Sequence, residues 1–191
     1  SKATKLPVTI KTRIGYNEVE NFEFLKSFIQ TTKDAGSKKF IIHARKALLK
    51  KLSPKENLNI PPLKYEFVYK LKEHFKNDEI IINGGVKTTK EIKNHLLKVD
   101  GVMIGRAIYH SPYFLAEIEK EVFGNKNVPT RSEVMENLIP YIQEETSKGT
   151  QLNHIMRHTV GLFHGQNGSR TWKQYLSKNM CIRDADLQKV N

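Results

Sequence analysis

Apolar and polar positions alternate along the first two thirds of the chain in blocks that switch between a strand period and a helix period. Pro7–Gly15 (PVTIKTRIG) reads as a strand ending in a basic cluster. In Asn21–Gly36 the apolar positions 22, 25, 28 and 29 recur with helical spacing, and Gly36 closes the run. Phe40–Lys46 (FIIHARK) predicts a second strand, apolar first and polar at its end. A polar loop with a proline pair, LSPKENLNIPPLKYE, leads to a helix over about Glu66–Phe75, with Phe67, Val68, Leu71 and Phe75 on one face. Glu79–Asn83 predicts a third strand, since three consecutive isoleucines are stiff and suit burial on both faces. Thr88 and Glu91 have capping-box spacing and open a helix to about Lys98. Gly101–Gly105 (GVMIG) predicts a fourth strand. Ser111-Pro112 supplies an N-cap and a first-turn proline for a helix ending at Gly124.

Strand and helix thus alternate about four times, each strand apolar along its length and chemically rich only at its C-terminal end. That pattern predicts a parallel α/β sheet whose strand ends build one site. After Asn125 the alternation stops. Thr130–Lys148, Gln151–Phe163 and Thr171–Ser177 read as helices, and Pro140 is expected to kink or split the first. The expected domains are therefore 1–124 and 125–191. Four βα units make either a small open α/β sheet or the back half of an eight-fold barrel. The first strand begins almost at residue 1, so a front half is expected to be absent from this chain.

A chain of 191 residues is long enough for one substantial core, or for one domain plus a smaller appendage. No apolar run approaches the roughly 20 residues that span a bilayer. The opening SKATKLPVTIKTRIG is basic but runs into an extended segment, so it is not expected to be a signal peptide. One cysteine, Cys181, excludes an internal disulfide framework and a cysteine-clustered zinc site, and a reducing cytosolic compartment is expected. The balance of 32 Lys+Arg against 20 Asp+Glu, a net +12, suits a polyanionic partner, most often nucleic acid. The alternative is a Lys- and Asn-rich chain whose lysines are spread over solvated faces.

Glycine costs backbone entropy, so Gly84 and Gly85 are expected to need positive φ or a very close approach by another group. Asn83-Gly84-Gly85 ends the third strand and Gly105-Arg106 the fourth. Two such loops, each followed by a helix start, can converge their N–H groups on one phosphate, with Arg106 as a charged clamp. Eight-fold barrels place this site after their last two strands, which agrees with an absent front half. The alternative is a pair of tight turns. Lys11 and His43 sit at comparable strand ends and are expected to face the same mouth. The lysine can neutralise an electron-rich ring or anion, and the histidine can hydrogen-bond a ligand oxygen. A snorkelling lysine and a satisfied histidine are the competing readings.

In the tail, His154, Arg157, His158 and Gly161 are expected to share one helical face, opposite Leu152, Ile155 and Phe163. HGQNGSR at 164–170 follows as a flexible polar loop carrying Arg170. HIMRH has the spacing of zinc-binding helices but lacks the glutamate of a protease motif, so no metal is expected. The face suits phosphates, or is an ordinary solvated surface. Cys181, in NMCIRD, reads as a small buried or tail residue rather than a nucleophile.

The stretches KTRIG, FIIHARK, LSPKEN, PPL, INGG, DGVMIGR and RHTVGLFHGQNGSRTWKQYLS together resemble the A-type tRNA-dihydrouridine synthases, in order and spacing, through nearly the whole chain. HARK with SPKEN, and the late GLFHGQNGSR, narrow the resemblance to this subgroup rather than to flavin barrels in general. The implied fold is the C-terminal half of a (β/α)8 TIM-type barrel that binds FMN, followed by an all-helical tRNA-binding domain. The implied reaction reduces the C5–C6 bond of a flipped-out D-loop uridine. Reduced flavin gives hydride to C6, a cysteine gives a proton to C5, and NADPH recharges the flavin.

Carried over by motif, Lys11 of KTRIG contacts the flavin ring and His43 of HARK binds the cofactor. Asn83, Gly84, Gly85, Gly105 and Arg106 form the FMN phosphate cradle. Lys46, Lys55 and Asn57, together with Arg157, His158 and Arg170, are the implied tRNA contacts. The family's proton-donor cysteine lies in an Asn-x-x-Cys-Pro segment ahead of the strand that begins this chain. Cys181 has neither its context nor its position, so no catalytic residue is expected here and the chain alone is expected to be inactive. The implied partners are tRNA and a missing N-terminal half, in the cytoplasm and with no membrane. A second reading is a standalone tRNA-binding remnant without redox activity. A third is a phosphate-binding α/β enzyme of unrelated chemistry.

Overall fold

The computed structural model describes residues 4, 6–49 and 52–179; Cys181 lies outside them. The chain divides into two compact units, Ser1–Ile104 and Gly105–Asn191. The division falls after the fourth strand.

The first unit runs β1 (Ile10–Arg13), α1 (Phe22–Asp34), β2 (Lys39–His43), α2 (Pro54–Asn57), α3 (Tyr65–His74), β3 (Glu79–Asn83), α4 (Thr89–Leu96) and β4 (Gly101–Met103). All four strands are parallel and lie in the order β1-β2-β3-β4. Successive side chains of a strand point to opposite faces. Phe40 and Ile42, with Ile80 and Ile82, are therefore on one face, and all four are fully buried. Leu25 and Ile29 of α1 and Val68 and Leu71 of α3 complete that core. Each fully buried Ile or Leu contributes about 1.5–3 kcal/mol.

Local chemistry sets the element ends. The Asn21 side chain accepts the Phe24 N–H at 2.7 Å to start α1, and Gly36 leaves it at φ +107°. Thr88 and Glu91 form the capping box of α4, as their spacing predicts. The same device opens α2, where Ser53 and Glu56 cap a helix inside the stretch expected to be loop. Strands β1, β2 and β4 are shorter than their apolar runs. After β1 the chain turns at once, Tyr16 and Val19 exchanging backbone hydrogen bonds, and a β-carbon on Gly15 would lie 2.1 Å from the Val19 carbonyl oxygen. At the opposite ends of the strands, Lys33 pairs with the buried Asp78 at 2.6 Å and Lys72 pairs with Asp100 at 2.8 Å. Asp100 also accepts the Ile80 N–H.

The second unit contains α5 (Arg106–His110), α6 (Phe114–Glu121), α7 (Arg131–Ser147), α8 (Leu152–Met156) and α9 (Ser169–Asn179). Met135, Ile142, Ile155, Met156, Leu162 and Leu176 form its core, with Tyr113 and Trp172 packed against it. Three expectations change here. Pro140 does not split α7, which runs through it as one helix opened by the Thr130–Glu133 capping box. Ser111 is not an N-cap: it closes α5, and the next helix starts at Phe114. The helix expected over Gln151–Phe163 stops at Met156. Beyond it the chain advances by turns in which His158, Thr159, Leu162 and His164 each donate to the carbonyl three residues back. Gly161 sits where a β-carbon would meet the His110 carbonyl oxygen at 2.1 Å.

Candidate functional site

The strand register lays the residues of the sheet's other face in two rows. Lys11, Ile41, Ile81 and Gly101 are aligned in one, and Arg13, His43, Asn83 and Met103 in the next, at the C-terminal ends. Lys11 therefore shares a face with His43 but lies one row below it, exposed, and the register partner of His43 is Arg13.

The end row is tied together by its own polar groups. The Asn83 side chain donates to the Met103 carbonyl at 2.8 Å, so its amide joins β3 to β4 at the point where the ladder stops. The Ala44 N–H donates to the Asn83 carbonyl at 2.9 Å. His43 is only 7% exposed. Its ring lies against Gly84, where a β-carbon would be 2.6 Å from Cδ2. A β-carbon on Gly85 would be 2.5 Å from Leu63 Cδ1 and 2.9 Å from the Tyr65 hydroxyl. Gly84 and Gly85 have φ of +118° and +76°. The groups that demand glycine here are thus His43, Leu63 and Tyr65, where the sequence pointed to a bound phosphate.

The loop nonetheless keeps its donors. The N–H groups of Gly84, Gly85 and Val86 have no acceptor among the described residues. The next two, on Lys87 and Thr88, are taken at 2.8 and 3.0 Å by the Glu91 carboxylate. Those hydrogen bonds, the Lys87 one foremost, hold Glu91 below the usual carboxylate range. The helix start is therefore neutralised from within, and the three amides ahead of it, on the buried Gly84 and Val86 and the half-buried Gly85, are donors of the kind an oxyanion takes. This donor set fits a phosphate group.

Two arginines that the sequence did not single out frame the mouth. Arg13 donates to the Lys46 and Asn57 carbonyls at 2.8 and 3.0 Å. Arg45 donates to the Asn59 carbonyl at 3.1 Å and to that of Pro61. Burial, and then Arg45, push the Arg13 guanidinium below its ordinary value. The carbonyls that each of them binds leave both guanidinium groups anchored to the segment that follows β2. Their adjacency to KT and HA in KTR and HAR was the only signal in the sequence.

The side chain of Asn57, an expected tRNA contact, is engaged within its own loop. It is 9% exposed, its oxygen accepts the Leu48 N–H at 2.7 Å, and its nitrogen donates to the Leu48, Leu52 and Ser53 carbonyls. Lys46 is half-buried, 3.2 Å from Glu20, which also pairs with Lys64 at 3.3 Å. Lys55 is exposed on α2.

In the second unit, Gly105 and Arg106 are exposed, and the β-carbon direction of Gly105 is open. Arg157 and His158 are exposed in the turns after α8 rather than on a helical face with His154, and Arg170 is exposed at the start of α9. The Arg157 Nε donates to the Asn153 carbonyl, and the His158 ring stands edge-on to Tyr109, centroids 6.1 Å apart. No helix among the described residues is long and apolar enough to cross a membrane.

The chain is 49% identical over 186 residues to a tRNA-dihydrouridine(20/20a) synthase of Haemophilus ducreyi, covering 97% of this chain and 57% of that protein. To the protein of the same name in Vibrio cholerae it is 47% identical over 187 residues, covering 97% and 57%. To that of a Synechocystis species it is 44% identical over 185 residues, covering 96% and 55%. The chain thus spans a little over half the length of these relatives. Residues 1–190 match the family described as Dihydrouridine synthase (Dus), and the chain belongs to that family.

Proposed function

We propose that this chain supplies the C-terminal part of an FMN-dependent tRNA-dihydrouridine synthase: four βα units of a flavin-binding TIM-type barrel, and a helical domain that holds tRNA. The observation that carries this reading is the set of amides at Gly84–Val86 that have no acceptor among the described residues, beside the buried His43, at the strand ends of an in-order parallel sheet. The name shared by the relatives, tRNA-dihydrouridine(20/20a) synthase, supports the substrate and the reaction. The expected setting is the cytoplasm.

FMN held here would supply hydride chemistry for C6 of a D-loop uridine, with NADPH as the reductant. The Gly84, Gly85 and Val86 amides hold the phosphate. Gly105 and Arg106 are assigned to the same phosphate by resemblance alone. His43 and Asn83 fix the loop that presents the amides, and Lys11, one row deeper, contributes positive charge beside an electron-rich ring. The proton for C5 comes from a cysteine in an Asn-x-x-Cys-Pro segment outside these residues. Lys46, Lys55, Arg157, His158 and Arg170 contact tRNA phosphates.

The test joins this chain to the coding segment upstream of it and supplies unmodified tRNA and NADPH. Bound flavin, NADPH oxidation and dihydrouridine in the tRNA are expected. A flavin-free product that binds tRNA without consuming NADPH would replace this reading with the tRNA-binding remnant.

A further inference from the structure

We infer that Tyr65 is a positioning residue for the glycine loop, fixing the direction in which the Gly85 N–H is presented to an oxyanion; the ligand half of this statement rests on the proposed phosphate role of that loop. Tyr65 opens α3, and its hydroxyl donates to the Gly84 carbonyl at 2.8 Å. In a trans peptide the carbonyl and the following N–H point in opposite directions, and no cis peptide occurs among the described residues. A carbonyl held toward Tyr65 therefore turns the Gly85 N–H away from it. The same hydroxyl stands 2.9 Å from where a Gly85 β-carbon would be, so Tyr65 lies directly against both glycines.

Two successive glycines at positive φ are the softest backbone the chain can make, and orientation there has to come from a tether. Tyr65 is itself held. The His95 ring packs against it at 4.6 Å and 72°, and His95 Nδ1 is hydrogen-bonded to the Tyr69 hydroxyl at 2.8 Å. Burial, followed by the charge of Glu91, pushes the Tyr65 phenol up, so it remains a donor at neutral pH.

The experiment follows the backbone amides of the full, nitrogen-15-labelled chain by NMR while inorganic phosphate is added. In the parent, the Gly85 resonance is expected to shift saturably. Tyr65→Phe is expected to weaken phosphate by about threefold to tenfold, the range for one lost neutral hydrogen bond. Tyr69→Phe, which keeps the Gly84 bond and loosens only the His95 support behind Tyr65, is expected to weaken phosphate less than Tyr65→Phe does. Equal phosphate affinity in Tyr65→Phe and the parent, with both folded, overturns the proposal.

If phosphate moves no loop amide in the parent, the phosphate role fails and Tyr65 is judged without ligand. A Gly85 resonance displaced in Tyr65→Phe, with Gly161 unmoved, then supports the tether, and an undisplaced one overturns it. Should Tyr65→Phe not fold, a fluorinated tyrosine at 65 keeps the volume and strengthens the donor. It is expected to displace the same resonance, and no displacement overturns the proposal.

Discussion

The imidazole of His43 fills the space that a β-carbon on Gly84 would need: that carbon would lie 2.6 Å from Cδ2 and 2.9 Å from Nε2. With Gly84 at φ +118°, backbone and neighbour refuse a side chain together. Gly84→Ala is expected to lower stability by about 1–3 kcal/mol in urea unfolding. In a His43→Ala background the contact is gone while the strained φ remains. The double mutant should therefore lose less than the two single losses added, by about 1 kcal/mol. Strict additivity would show that His43 is not the obstacle.

Asn57 spends its whole side chain inside the loop between β2 and α3, accepting from Leu48 and donating to the Leu48, Leu52 and Ser53 carbonyls. Asn57→Ala leaves the half-buried Leu48 N–H without its acceptor and three carbonyls without their donor, and is expected to cost about 1–3 kcal/mol. Hydrogen exchange should quicken at Leu48, whose amide loses its acceptor. A variant with parent stability and protection would show that these hydrogen bonds do not hold the loop.

Burial pushes His95 below its ordinary value, against an upward pull from Glu91 and with a further downward push from Lys98. The unfolded chain titrates this group near 6.5, so below that pH it binds more protons than the folded chain. The stability tied to neutral His95 is fully present above about pH 6.5 and is lost as pH falls toward the folded value. Glu91 and Asp100, both held below the usual carboxylate range, add losses only in more acid solution. Urea midpoints measured from pH 7.5 down to about 5 should fall, and His95→Gln should flatten that fall. A slope unchanged by the substitution would assign it to another group.

Elements decided by short-range chemistry were legible. Three isoleucines and a Thr88–Glu91 box locate β3 and the start of α4 without any knowledge of the fold. The Ser53–Glu56 box is the same signal, but it stands in a polar stretch beside prolines with no apolar period to support it, and α2 was read as loop. The tail misled for the converse reason. Ile155, Met156, Thr159 and Leu162 are buried at helix-like spacing, yet the turns from Thr159 to His164 follow an i to i+3 pattern. Burial spacing cannot separate the two. At the site, His43, Asn83 and Gly84 stood out as polar or bare positions closing apolar strands. Arg13, Arg45 and Tyr65 did not, because partners far along the chain define what they do.

Arg157, His158 and Arg170 are exposed in a chain of net charge +12. If they meet tRNA phosphates, log affinity falls linearly with log salt, and Arg157→Ala flattens the slope by about 0.7–0.9. Filter retention over a salt series, parent beside variant, measures this. Coincident lines would make that surface ordinary solvated protein.

The strand order β1-β2-β3-β4 has a consequence for how the sheet is made. Each strand pairs with the one before it in the chain, and none waits for a partner from further on. During synthesis the ribosome releases β2 when β1 is already outside, then β3 to a standing β2, then β4 to a standing β3. A parallel sheet is slow to form because its pairs are distant in sequence. Here that slowness is divided into single strand additions, each completed by the helix that arrives with it. The residues of the end row, Arg13, His43, Asn83 and Met103, therefore leave the ribosome in the same order in which they stand side by side.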